Sequence, residues 1–381
     1  MRKNSALSGL KTVVGVCSWL LFITPLTGCK GERKVCTECL HEVYVPLLTS
    51  ENTEYPVLSH LYSSIDTVFL ENKGPQSFVK SVDEVVLSGD TIIVRSAGTL
   101  FFFDRQGRFL NSFSHQGKGH GCYRVIDRFD IIRSKGELFV LDTQSDRVFV
   151  YDMNGSYKRQ VLIHDYVTDF AVLPDGCFLF ANPIRYGDCR RGLWRTDAEG
   201  RFQEQLVGID PEFLHVSINN PYLNHINDSV IGYMGVEDTD KFYTYSADTI
   251  AVTCRMTTDI TIPEEIKKSD RVFINPEREY TKCGYLETGR FLYFVATNYG
   301  GNVAMVFTDK SSWTTYVMYV YSSEFVENVE EIEPFPFVVS CYGGTMVGFY
   351  DAGMIMERDI YRQKFPSVKP DSNPVLILYN E

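Results

Sequence analysis

Three segments of the chain repeat one pattern. "FFDRQGRF" at 102–109, "VYDMNGSY" at 150–157 and "WRTDAEGRF" at 194–202 each read Asp-x-x-Gly-x-aromatic, with the aspartate at 104, 152 and 197. The steps between them are 48 and 45 residues. Aspartate opens a turn by accepting a backbone hydrogen bond, and glycine supplies a conformation that other residues resist. Each copy therefore marks a hairpin tip between two strands. Weaker copies follow at 243–250, "YTYSADTI", and at 306–313, "VFTDKSSW".

The second copy shows the whole unit. "IDRFDII", "ELFVLD", "DRVFVYD" and "SYKRQVLI" make four antiparallel strands in under fifty residues. The middle strands are apolar on both faces, with Leu138 and Val140 on one side and Phe139 and Leu141 on the other. A sheet buried on both faces must stack between neighbours. Four-stranded sheets packed face to face around an axis form a β-propeller. Residues 61–379 divide into six blades of about 53 residues or seven of about 46, against a usual unit of about 40–50. An insertion after residue 256 takes up length, so six is the expectation. "IDTVFLE" at 65–71 and "PVLILYN" at 374–380 are strands at opposite ends of the domain. They are expected to meet in one blade, closing the ring and removing its exposed edges.

The fold class expected is thus an all-β, six-bladed propeller of four-stranded antiparallel blades. The best helical stretch is Pro263 to Asp270, a short excursion. An aromatic content of 14% and an apolar content of 44% agree with a large core. The net charge of −12, with no clustered Lys and Arg, argues against a nucleic-acid surface.

The first residues serve a different purpose. Arg2, Lys3 and Lys11 precede the apolar run "VVGVCSWLLFITPL" at 13–26, which ends in Leu26-Thr27-Gly28-Cys29. The run is too short to span a bilayer comfortably and fits a signal-peptide core. Its end resembles the bacterial lipobox, in which the cysteine is lipidated and becomes the new N-terminus. Three divisions are expected: a lipoprotein signal peptide at 1–28, a lipidated end and polar tether at 29–60, and the propeller at 61–381. Acyl chains on Cys29 would hold the chain on the cell membrane or outer membrane. It would be periplasmic or surface-exposed there.

The segments "LYSSIDTVFLE", "LFFFDRQGRFLNSFSHQGKGHGCY" and "DSNPVLILY" carry a further resemblance. From about Leu58 onward the chain resembles the six-bladed β-propeller lipoproteins of Gram-negative bacteria, which look like NHL-repeat propellers. Their corresponding loop normally ends in Gly-x-Gly-Pro-Gly-Glu-Tyr. Here His120 stands in place of the proline and Cys122 in place of the glutamate. The resemblance implies fold and location and brings no shared catalytic residues.

"SFSHQGKGHGCYRV" at 112–125 has three alternating glycines, but neither a phosphate loop nor a dinucleotide fold fits, because strand follows it. It reads as a sharp connection between blades. A backbone anion nest there is the lesser reading. His115 and His164 follow the last strands of consecutive blades, so His115, His164 and Asp165 share one face. They are the candidate ligands for a divalent metal, with His120, His215 and His225 as further members. Water-facing loop residues are the simpler reading, and no other cofactor is expected.

Cys36 and Cys39 form a C-x-x-C without a haem or thioredoxin context; a local disulfide or plain thiols fit better. The remaining cysteines are scattered. Glu264-Glu265 and Glu330-Glu331 read as exposed charge. Tyr186, Tyr222, Tyr233, Tyr299 and Trp313 could line a sugar- or peptide-binding rim, although core packing accounts for most aromatics in a propeller. The leading expectation is a non-catalytic binding or scaffold module for a glycan or protein partner in the cell envelope. The alternative is a lyase or lactonase-type enzyme with a metal at the propeller axis.

Overall fold

Six sheets arranged in a ring hold all the strands among the described residues. The computed structural model describes residues 41–49, 61–182, 191–209, 222–235, 240–261, 280–298, 303–319 and 338–381. All of them belong to the unit Val35–Glu381. The chain opens with β1 (Glu42–Val45) and β2 (Ser64–Phe69), whose partners come much later. Blade 1 is β3 (Glu84–Ser88), β4 (Thr91–Ser96), β5 (Thr99–Asp104) and β6 (Phe109–Phe113). Blade 2 is β7 (Arg128–Ile132), β8 (Glu137–Asp142), β9 (Arg147–Asp152) and β10 (Tyr157–Leu162). Blade 3 is β11 (Asp169–Val172), β12 (Phe178–Ala181), β13 (Arg191–Thr196) and β14 (Phe202–Gly208).

Blade 4 follows with β15 (Leu223–Asn227), β16 (Val230–Met234), β17 (Lys241–Ser246) and β18 (Thr249–Thr258). Blade 5 is β19 (Tyr280–Glu287), β20 (Phe291–Asn298), β21 (Val303–Asp309) and β22 (Thr314–Tyr319). Blade 6 is β23 (Val338–Tyr342), β24 (Thr345–Tyr350), β25 (Val375–Asn380) and then β2. The two ends of the domain meet as expected: β2 pairs antiparallel with β25, from Ser64 opposite Asn380 to Phe69 opposite Val375.

The repeat has a physical cause in the turns between third and fourth strands. The Asp104 carboxylate accepts the N–H groups of Gln106 and Arg108, each at 2.9 Å. Asp152 takes those of Asn154 and Ser156 at 2.9 and 2.8 Å, and Asp197 those of Glu199 and Arg201 at 3.0 and 2.9 Å. The glycine of each copy sits at positive φ: +80° at Gly107, +86° at Gly155 and +83° at Gly200. It also faces the previous blade. A Cβ on Gly107 would lie 2.1 Å from the Phe69 carbonyl oxygen, and one on Gly200 would lie 2.7 Å from that of Leu162. The weaker copies occupy the same turn in blades 4 and 5. Ala247 and Asp248 take positive φ in one, and Asp309 caps Ser311 in the other. Blade 6 has no such turn, because its third and fourth strands come from opposite ends of the domain.

The core lies between blades. Leu138 and Val140 pack with Ile93, Leu100 and Phe102 of blade 1, whereas Phe139 and Leu141 pack with Phe178, Phe180 and Trp194 of blade 3. Each such side chain contributes about 1.5–3 kcal/mol on burial. Outer strands are half solvated and alternate: Tyr157, Arg159 and Val161 of β10 lie deeper than their neighbours.

Two features depart from the sequence-based expectation. The segment read as tether contributes β1, which runs parallel to β18 as a fifth strand on blade 4. Val43, Val45 and Leu47 are fully buried, and Asp259 accepts the N–H groups of Leu47 and Leu48 at 2.6 and 3.1 Å. Two short helices, α1 (Ala352–Glu357) and α2 (Asp359–Lys364), stand between β24 and β25. Asp351 caps the first by accepting the Met354 N–H at 2.7 Å. The stretch Pro263 to Asp270 lies outside the described residues.

Candidate functional site

The first strands of the six blades line the axis, and they carry charge where a propeller core is otherwise apolar. Glu84 opens β3, Arg128 opens β7, and Asp169 opens β11. Arg128 bridges the other two, at 3.0 Å from Glu84 and 2.9 Å from Asp169. Arg95 of β4 supports Glu84 at 3.1 Å and donates to the Ile126 carbonyl, also at 3.1 Å. Asp169 spends its other oxygen on the backbone N–H groups of Tyr222 and Leu223, at 2.7 and 2.9 Å. One chain of charges thus joins blades 1, 2, 3 and 4.

A second chain crosses the axis. Asp130 of β7 accepts the Val172 N–H of β11 at 2.7 Å, and its same oxygen lies 2.7 Å from Nε2 of His225 on β15. Asn224, beside His225, exchanges hydrogen bonds with the backbone of Glu287 in blade 5 at 2.7 and 3.0 Å, and its amide lies 3.3 Å from Cys341 Sγ in blade 6. Ser340 donates to the Val85 carbonyl, joining blade 6 to blade 1. Every blade is therefore tied to another through its first strand.

Burial and the neighbouring charges together set the protonation states. Burial disfavours charge on Arg128, but Asp169 and Glu84 outweigh it and hold the guanidinium protonated above its usual range. Burial raises Glu84, and Arg128 and Arg95 pull against it without cancelling it. Burial also opposes a charged His225; the Asp130 carboxylate overrides this and raises the imidazole above its ordinary value. Burial pushes the Cys341 thiol up to about 12, so it stays protonated and unreactive as a nucleophile. What remains open on the axis is a cavity of about 40 Å³, room for a few water molecules.

A larger cavity, of about 210 Å³, continues from His225 and Tyr342 toward one face. It lies where β7, β11, β15 and β23 end and their first turns begin. Arg133 and Tyr342 form its polar wall: the guanidinium stands 3.6 Å over the tyrosine ring, and the tyrosine hydroxyl donates to Asp228. Arg133 also donates to the Leu87 carbonyl of blade 1.

The residues singled out in the sequence fall elsewhere. His115, His164 and Asp165 lie on connections between blades, at the opposite face from this cavity. The structure does not assemble them: His115 stacks on Tyr151 with ring centroids 5.2 Å apart, His164 is exposed, and Asp165 is ion-paired with Arg191. Among the described residues no group of three or more His, Cys, Asp or Glu is placed to hold a metal ion. His120 packs edge-on to Tyr157. Tyr222 and Tyr233 are buried in the core, and Trp313 stacks on His41 at 3.8 Å. Cys122, Cys177, Cys254, Cys283 and Cys341 are not joined in disulfides. Cys29, Cys36, Cys39, Tyr186, His215, Glu264, Glu265, Tyr299, Glu330 and Glu331 lie outside the described residues.

The glycine-rich connection closes on itself. Tyr123 donates its N–H to the His115 carbonyl at 3.1 Å, Gly117 donates to the Tyr123 carbonyl at 2.9 Å, and Cys122 donates to that of Gly119 at 3.1 Å. Gly121, at φ +70°, makes room for the Tyr157 ring, 2.6 Å from where its Cβ would be. Gly121 thus serves the turn in the way the sequence indicated.

Ring, closure and axis define a six-bladed β-propeller whose centre is filled by inter-blade ion pairs. The chain belongs to the family described as a domain of unknown function, DUF4934, which it matches over residues 45–380. No curated protein matches it. Two solved structures share the fold. A protein of Bacteroides fragilis NCTC 9343, described as exported, is 15% identical with a TM-score of 0.65, over 88% of this chain and 98% of that one. A member of the DUF4221 family from Bacteroides vulgatus ATCC 8482 is 9% identical with a TM-score of 0.51, over 84% of this chain and 97% of that one.

Proposed function

We propose that this protein is a lipid-anchored, non-catalytic propeller that presents one face to a glycan or protein partner in the cell envelope. The observation that carries this reading is the state of the axis. Its charged groups are engaged with one another across blades, and the remaining space of about 40 Å³ is too small for an ordinary substrate. A propeller enzyme needs convergent groups free to act there. Glu84, Arg128, Asp130, Asp169 and His225 instead act as fasteners that keep the disc rigid.

The anchor rests on the sequence before residue 30, with its charged start, short apolar core and Cys29. Among the described residues no helix is long and apolar enough to cross a membrane. Likeness to NHL-repeat lipoproteins and to a protein described as exported supports the same placement. The test is capture from gently solubilised membranes with the natural chain and with Cys29→Ala. The natural chain should fractionate with membranes and retain a specific envelope component, and Cys29→Ala should leave the membrane fraction. An empty capture together with a blank glycan array removes the binding reading. Membrane retention of Cys29→Ala removes the anchor.

A further inference from the structure

We infer that the cavity of about 210 Å³ at the end of the axis is a binding site for one neutral, hydroxyl-rich sugar ring at the end of a glycan. This deepens the binding reading above and rests on it. The size is the first argument. Sites for drug-sized ligands run to about 300–1,000 Å³, and this one suits a single ring or its equivalent.

The wall is the second argument. Arg133 is held in place by the Tyr342 ring and the Leu87 carbonyl, yet it forms no ion pair among the described residues. It is a fixed cation with donors to spare. Asp228 stands at the rim and takes the Tyr342 hydroxyl on one oxygen, which leaves its second oxygen as an acceptor. A donor fork and a carboxylate on one wall match neighbouring sugar hydroxyls, each of which both donates and accepts. The charges of Arg133 and Asp228 offset one another, as those of His225 and Asp130 do, so the cavity does not favour an anion.

The floor is the third argument. Ile131, Val172 and Pro174 give the cavity an apolar base, suited to the C–H face of a pyranose. All of these groups sit on first strands or their first turns, which the axial ion pairs hold rigidly, so little order has to be imposed on binding.

The test uses the full chain in detergent on an array of immobilised oligosaccharides ending in neutral hexoses, N-acetylhexosamines or uronic acids. The expected result is binding to a subset with neutral ends. Arg133→Met and Asp228→Asn should each weaken it at least about 10-fold in a chain that still melts as a folded protein. Lys118→Ala, on the opposite face, should bind as the natural chain does. A blank array, a preference for uronic acids, or undiminished binding by both variants would overturn the inference. If the array is blank while membranes yield a protein partner, the sugar site fails and the wider binding reading stands.

Discussion

Nε2 of His225 lies 2.7 Å from Oδ2 of Asp130 and so joins blade 4 to blade 2 across the propeller axis. The pair makes stability depend on pH. The folded imidazole titrates above its ordinary value, so it binds its proton more tightly folded than unfolded. Its contribution is fully present below the unfolded value of about 6.5. It is lost as pH rises through the raised folded value. Denaturant midpoints measured across this window should fall toward alkaline pH, and His225→Gln should flatten that part of the profile. A variant with an unchanged slope would show that the pair does not titrate in this way.

The turn glycines separate two costs. Gly89 has φ +55° and nothing near its missing Cβ, so Gly89→Ala incurs backbone strain alone, about 1 kcal/mol. Gly107 adds the Phe69 carbonyl at 2.1 Å from the same position, an overlap that backbone must relieve. Gly107→Ala should cost about 2–4 kcal/mol in chemical denaturation. Equal losses at the two sites would contradict the account of the repeat.

The segment that follows β1, the fifth strand of blade 4, makes a similar contrast between neighbours. Leu47 is fully buried, whereas Leu48 is 47% exposed. Leu47→Ala should destabilise by about 2–4 kcal/mol, and Leu48→Ala by less than about 0.5 kcal/mol. Limited proteolysis should also cut the Leu47→Ala chain earlier on the N-terminal side of the propeller. Matched cleavage rates would show that the strand is not docked in solution.

Much of the ring was legible in the sequence because its cause is local. An aspartate that caps a turn and a glycine at positive φ leave the same trace in each copy, at 104, 152 and 197. The two-faced burial of Leu138 to Leu141 could be read the same way, and so could the pairing of residues 65–69 with 375–379. The strand at Glu42–Val45 was not legible: its alternation runs over only four residues, too few to be a signal, and their burial depends on β18, more than two hundred residues away. The axial site was also hidden. Glu84, Arg128, Asp130 and Asp169 are isolated charges in apolar strands, and only the ring brings them together. Histidines on the connections drew attention because they recur at equivalent places. The structure gives them stacking or solvent, and it gives the axis to His225.

The axial charges are proposed to hold the blades together, with the cavity wall left for a ligand. Calorimetric melting of Arg128→Met beside Arg133→Met tests this most directly. Removing Arg128 leaves Glu84 and Asp169 buried without their shared partner, a loss of about 3–5 kcal/mol. The melting temperature should fall by about 5–10 °C. Arg133→Met should fall by less, because it gives up one hydrogen bond to the Leu87 carbonyl and a ring contact and leaves no buried carboxylate without its partner. Equal melting of the Arg128→Met and natural chains, or a larger fall for Arg133→Met, would contradict the account.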